Sequence, residues 1–164
     1  MNDLQKKFIW LAFAEKKTYP QIEKELNVSR QQLSDWTKEF EKEWRQISAI
    51  KNIHVSKKIK NDFNKFYEWY KDKEQSKKCE YCGITEIEIK FLLDNNLLET
   101  KRARGRKLEL DRKEPNASYD NLENIVFACY WCNNAKTDTF THKEFLDVGK
   151  VFKNIWQNRL AKIK

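Results

Sequence analysis

Long apolar runs are missing from this chain of 164 residues. None approaches the roughly 18 consecutive apolar residues a membrane span requires, and Met1 to Lys7 leads into an amphipathic pattern instead of a secretory signal. Neither an internal repeat nor a low-complexity tract is visible. The expectation is a globular protein of the cytoplasm with no membrane partner, long enough for one ordinary domain or two small ones. Glycine occurs only three times. That leaves Gly105 alone to bend the basic segment around it, and no glycine for the short turn at 27–29. Histidine is scarcer still, at His54 and His142 only, which narrows any proton-transfer chemistry.

The four cysteines fall into two hooks, Cys79-Glu80-Tyr81-Cys82 and Cys129-Tyr130-Trp131-Cys132. Two such pairs place four thiolates at the spacing of a tetrahedral zinc ion, each about 2.3 Å from the metal. Disulfides are the alternative in a secreted chain, but a reducing cytosol favours zinc. Gly83, directly behind the first hook, fits a tight knuckle. Between Leu108 and Lys136 there are too few large apolar residues for an independent core, so a structural zinc ion is expected to supply much of the folding free energy there. The 33 basic residues outnumber 25 acidic ones, for a formal charge of +8. This balance predicts salt-dependent attraction to polyanions.

Apolar residues at helical spacing, Leu4, Phe8, Leu11 and Ala12 with Ile9 and Phe13, predict a first helix over 3–17. Thr18-Tyr19-Pro20-Gln21 reads as a capping box with proline in the first turn, opening a short helix that carries Ile22 and Leu26 inward. Asn27 suits the left-handed residue that ends it, and Ser29 with Gln32 forms a second capping box for a third helix with Leu33, Trp36, Thr37 and Phe40 inward. The stretch Lys16 to Trp36 resembles the helix-turn-helix of transposases and sigma-like DNA readers. That resemblance implies a recognition helix entering the major groove, with Arg30, Gln31, Gln32, Ser34, Asp35 and Lys38 exposed. A helical module that recruits protein is the plainer alternative. A linker is expected at 46–56, followed by a stripe of Ile59, Phe63, Phe66, Tyr67 and Tyr70 that suits a core.

Downstream, Thr85 to Glu88 is another capping box, leading a helix whose apolar residues are Ile84, Ile87, Phe91 and Leu92. Lys101, Arg102, Arg104, Arg106 and Lys107 then place five cations in seven residues, either a solvated turn or a contact to the DNA backbone. Leu108 to Asp111 alternates as a strand, and Ile125 to Ala128 is a compact apolar strand running into the second hook. Thr141 caps a helix expected to stop at Gly149, before a separate amphipathic helix with Phe152, Ile155, Trp156, Leu160 and Ile163.

Hook, helix, strand ending in Leu110-Asp111-Arg112, Asn124 five residues before Cys129, and Cys132-Asn133-x-x-Lys136 together resemble the HNH, or ββα-metal (His-Me finger), endonuclease family. This covers about the middle third of the chain. The resemblance implies that Asp111 and Asn133 hold a catalytic Mg²⁺ or Mn²⁺, since hard cations prefer carboxylate and amide oxygens. It also implies that Asn124 fixes the hairpin and that Lys136 contacts phosphate. In that family a histidine usually follows the aspartate as general base, whereas here Arg112 stands in its place. Arginine cannot abstract a proton from water, and its role becomes that of a clamp on the transition-state phosphate. Two readings follow: a metal-dependent DNA endonuclease acting on double-stranded DNA, or a catalytically impaired HNH-fold regulator that binds DNA. The fold expected is mainly α with a small α+β module: a three-helix helix-turn-helix domain over 1–45, the linker, a zinc-braced nuclease domain over 57–150, and a C-terminal helix over 151–164.

Overall fold

The structure, a computed structural model, describes residues 1–100 and 104–163. The chain divides into two compact units, Met1–Tyr70 and Lys71–Lys164. Among the described residues no helix is long and apolar enough to cross a membrane.

The first unit is helical. Helix α1 (Asp3–Ile9) opens on a capping box between Asn2 and Gln5, and the chain widens into a π turn over Trp10–Ala14. The single helix expected over 3–17 is therefore interrupted. Widening to an i→i+5 bond, Glu15 N to Trp10 O at 3.1 Å, rotates the following side chains relative to a 3.6-residue period. The buried set becomes Phe8, Ile9, Leu11 and Ala14, and Leu4 is exposed. Helices α2 (Tyr19–Leu26) and α3 (Arg30–Glu39) begin at the capping boxes of Thr18 with Gln21 and Ser29 with Gln32, and Asn27 between them is left-handed at φ +51°. Phe8 meets Tyr19 and Trp36 with ring centroids 6.2 and 5.7 Å away, so α1, α2 and α3 share one core with Ile22 and Leu33.

Helix α4 runs unbroken over Glu41–Ser56. The segment 46–56, expected as a linker, lies inside it. Ile47 and Ile50 are buried and carry the helical period through. The chain breaks later, at Lys58 with φ +53°, before α5 (Phe63–Glu74), which buries Phe63, Phe66 and Tyr70.

In the second unit, the knuckle at 79–84 is closed by Gly83 N to Cys79 O at 2.8 Å and Cys79 N to Ile84 O at 2.9 Å. Gly83 sits at φ +75°, a conformation that costs a residue with a Cβ. Helix α6 (Glu86–Asp94) starts at the Thr85–Glu88 capping box and buries Ile89 and Leu92. Ile87 and Phe91, expected on the apolar face, are 81% and 43% exposed. The cap sets the rotation of the helix and turns them outward. Strands β1 (Glu109–Arg112) and β2 (Ile125–Ala128) pair antiparallel, with Asp111 opposite Val126. Helix α7 (Tyr130–Lys136) follows directly, and α8 (His142–Leu160) begins at a Thr141–Glu144 capping box.

Gly149 does not stop α8, and the separate helix expected from 151 is the second half of this one. A Cβ at Gly149 would lie 2.4 Å from the Tyr81 carbonyl oxygen, so the glycine permits a close approach of helix to knuckle. This makes the sign of one substitution diagnostic. Helix propensity alone favours alanine over glycine by about 1 kcal/mol, whereas the contact with backbone atoms opposes it. Gly149→Ala should lower the melting temperature, and a rise would contradict the packing described.

Candidate active site

The four cysteines are buried and unpaired as disulfides, and their sulfurs all lie within 4.8 Å of one another. Cys82 Sγ and Cys129 Sγ are 3.7 Å apart, far beyond a disulfide bond. A tetrahedron with metal–sulfur bonds of about 2.3 Å has sulfur–sulfur edges of about 3.8 Å. The donor set therefore fits a metal ion such as zinc. The proton chemistry points the same way. Side-chain hydrogen bonds from Cys129, Cys132 and Cys82 hold the Cys79 thiol far below its ordinary range, while Cys132 is pushed up, chiefly by its hydrogen bond with Cys129 and then with Cys79 and Cys82. Four thiolates this close repel one another, and a divalent cation would offset that charge.

The two strands present their side chains alternately. Glu109 and Asp111 share the face of β1 that meets α7, where Asn133 and Lys136 stand one turn apart. Asn133 Nδ2 donates to Glu109 Oε2 at 2.7 Å. Lys136 Nζ lies 3.7 Å from Asp111 Oδ2 and donates to the Arg112 carbonyl at 2.8 Å. The Tyr81 hydroxyl donates to the same oxygen, Oδ2, at 2.6 Å. Burial, followed by the hydrogen bond to Asp111, pushes the Tyr81 phenol well above its ordinary range, so it remains a donor.

Asp111 and Asn133, expected together as ligands of a hard cation, thus project from facing elements. Carboxylates on β1 and an amide on α7 are donor types that suit Mg²⁺ or Mn²⁺, and they lie on elements in contact through the Asn133–Glu109 and Lys136–Asp111 pairs. Glu109 was not among the expected residues, although its period-two relation to Asp111 marks it. Tyr81 was missed as well, because no local pattern links a residue inside a cysteine hook to a strand 30 positions away.

Lys136, expected at a phosphate, is fully buried and presents no exposed ammonium. Its ammonium braces the end of β1 from α7 instead. Asn124 is also buried; its Oδ1 accepts from Glu114 N at 2.9 Å, and Lys113 N donates to its carbonyl at 2.8 Å, closing the mouth of the long connection between the strands. Arg112 donates to Asp138 Oδ1 at 3.0 Å and to the Ala117 carbonyl at 3.3 Å, and its guanidinium lies over the Tyr119 ring. Strand alternation sends it to the face opposite Asp111. His142 Nε2 meets Glu80 Oε1 at 3.0 Å, and its ring faces Tyr81 at 5.8 Å. His54 belongs to the first unit and meets the Asn61 carbonyl at 2.8 Å.

Elsewhere on the chain, Arg104, Arg106 and Lys107 are exposed, and Lys101 and Arg102 lie outside the described residues. On α3, Arg30, Gln31, Gln32, Asp35 and Lys38 are exposed and Ser34 is half-buried. Gln32 spends its Oε1 on the Ser29 amide at 2.9 Å, and Gln31 donates to Asp35 at 3.0 Å.

No protein-family model and no curated protein matches the chain. A solved structure does: the rare-cutting HNH restriction endonuclease PacI, with a TM-score of 0.51 and 23% identity over 68% of this chain and 76% of that one. The likeness is one of fold. A mostly helical chain with one small antiparallel sheet is compatible with the HNH-like α+β arrangement.

The buried Lys136–Asp111 pair generates a prediction. Removing one partner of a buried ion pair costs about 3–5 kcal/mol, whereas losing a phosphate contact costs no folding stability. Lys136→Met should lower the unfolding free energy by an amount of that order in denaturant titrations; wild-type stability would return the lysine to a surface role.

Proposed function

We propose that this chain is a metal-dependent DNA endonuclease of the HNH type, acting on double-stranded DNA in the cytoplasm. The observation that carries this reading is the contact of β1 with α7, where Asn133 meets Glu109 and Lys136 meets Asp111, in a unit that also holds a four-cysteine cluster. The fold likeness to an HNH restriction endonuclease supports it. In this reading zinc is held by Cys79, Cys82, Cys129 and Cys132, and Mg²⁺ or Mn²⁺ by Asp111 and Asn133.

A divalent ion bound there supplies positive charge to the scissile phosphate and to the leaving oxygen. The chain's own residues do the rest. Asp111 Oδ2 accepts from the Tyr81 hydroxyl and is paired with the Lys136 ammonium, so it enters the reaction with a set orientation. Asn124 keeps the connection between the strands closed at its base, holding Asp111 in register with β2. Arg112 keeps its proton at any working pH and is paired with Asp138. It stands on the face of β1 opposite Asp111, as a fixed cation, and the proton of the attacking water goes to another group.

The first unit targets the nuclease. Helices α2 and α3, joined through left-handed Asn27, support a helix-turn-helix reading in which Arg30, Gln31, Ser34 and Lys38 approach DNA, with Gln32 more constrained by its capping bond. Exposed Arg104, Arg106 and Lys107 contribute contacts to the phosphate backbone. The net charge of +8 supports counterion-dependent affinity.

Purified, zinc-loaded protein should nick supercoiled plasmid when Mg²⁺ or Mn²⁺ is added and not when it is omitted. Asn133→Ala should bind the plasmid with wild-type affinity and nick it at background rate, and Asp111→Ala, though destabilised by the loss of its buried partner, should nick at background rate as well. Wild-type protein that binds DNA but never nicks it, with either ion, would defeat the nuclease reading in favour of a DNA-binding regulator.

A further inference from the structure

Tyr81 stands between the two cysteines of the first hook, so sulfurs at positions 79 and 82 anchor its backbone on both sides. Glu80 N donates to the Phe127 carbonyl at 2.8 Å, tying the same turn to β2. From the other side α8 presses on it. Gly149 lets the helix backbone come against the Tyr81 carbonyl, and the Phe145 ring meets the tyrosine ring edge-on, 5.0 Å away at 86°. The ring therefore has one available direction, which ends at Asp111 Oδ2, 2.6 Å from the hydroxyl.

The same carboxylate oxygen faces the buried ammonium of Lys136 at 3.7 Å. Oδ2 thus takes the hydroxyl as a hydrogen bond and the ammonium as an ion pair. Among the described residues none donates to Oδ1, which is left as the oxygen available to a ligand. A phenylalanine at position 81 would keep the contact with Phe145 and the burial. The hydroxyl adds only the bond to Asp111, and ring packing alone does not account for it.

We infer that Tyr81 is a positioning residue for a hard divalent cation: its hydroxyl orients Asp111, and through it the geometry of the sulfur cluster sets the affinity of the oxygen site. The inference rests on the reading of Asp111 as a ligand given above. The sulfur cluster then has two duties, since it holds the hairpin and also aims one carboxylate. Partners that orient a ligand without touching the ion commonly change metal affinity or activity by about 10- to 100-fold when removed.

The test compares zinc-loaded full-length protein with Tyr81→Phe and Asp111→Ala, using Mn²⁺ itself as the probe, in a paramagnetic resonance titration without DNA. Zinc content and the melting curve are recorded for each. Tyr81→Phe should keep the wild-type zinc content and a cooperative melt, and weaken Mn²⁺ binding by about 10- to 100-fold. Plasmid nicking by this variant should recover when Mn²⁺ is raised to saturation, as a loss confined to metal affinity requires. Unchanged Mn²⁺ affinity in Tyr81→Phe, with Asp111→Ala losing it, overturns the positioning role and leaves the nuclease reading intact. Unchanged affinity in both variants overturns the metal site itself. If Tyr81→Phe loses zinc or its cooperative melt, the hydroxyl belongs to the fold, and the inference falls with that result too.

Discussion

Four sulfur atoms brought within 4.8 Å of one another are the constraint on which the second unit turns. As thiolates they repel, and as thiols they form a buried cluster with little cohesion; a divalent cation resolves both problems at once. The cluster joins elements that the chain separates by 47 residues, from Cys82 in the knuckle to Cys129 at the start of α7. Cys129 is also the N-cap of α7, its sulfur accepting from Cys132 N at 3.4 Å, so the second hook begins a helix as well as binding. The bond from Glu80 N to the Phe127 carbonyl carries the anchoring on into β2. A two-stranded sheet is marginal alone, and this one is held at the end where it meets the hooks.

The polar chemistry is built against that frame. Glu109 faces Asn133 and Asp111 faces Lys136, a two-rung ladder between strand and helix. Burying Asp111 is costly unless its charge is answered. The Lys136 ammonium and the Tyr81 hydroxyl supply that answer at Oδ2, and the hydroxyl bond fixes its orientation. Stability and function are thus drawn from the same contacts. Arg112 lies outside the ladder, paired with Asp138, which explains how an arginine is accommodated next to a carboxylate central to the proposed chemistry.

Features governed by neighbouring residues were legible in the sequence. The capping boxes at Thr18, Ser29, Thr85 and Thr141 all start helices, and left-handed Asn27 ends one, because each depends on a side chain three or four residues from its partner. The hooks and the strand over 125–128 were equally local. What the pattern missed depends on residues distant in the chain. Gly149 looked like a helix stop, yet its role is set by the Tyr81 carbonyl. Lys136 looked like a surface cation, but its burial follows from β1 lying across α7. The dense charge of 41–78 and a break expected near 52–56 suggested a linker over 46–56, although Ile47 and Ile50 were enough to carry a helix. Tyr81 and Glu109 acquire meaning only once hook, strand and helix are assembled.

Hydrogen exchange with and without the sulfur-bound ion tests most directly whether this cluster holds the hairpin. On zinc removal with a chelator, amides of Glu109–Arg112 and Ile125–Ala128 should lose their protection, while those of Ile22 and Leu33 in the first unit keep theirs. A hairpin that stays protected in zinc-free protein would show that the strands stand without the sulfurs, and would contradict the account at its base.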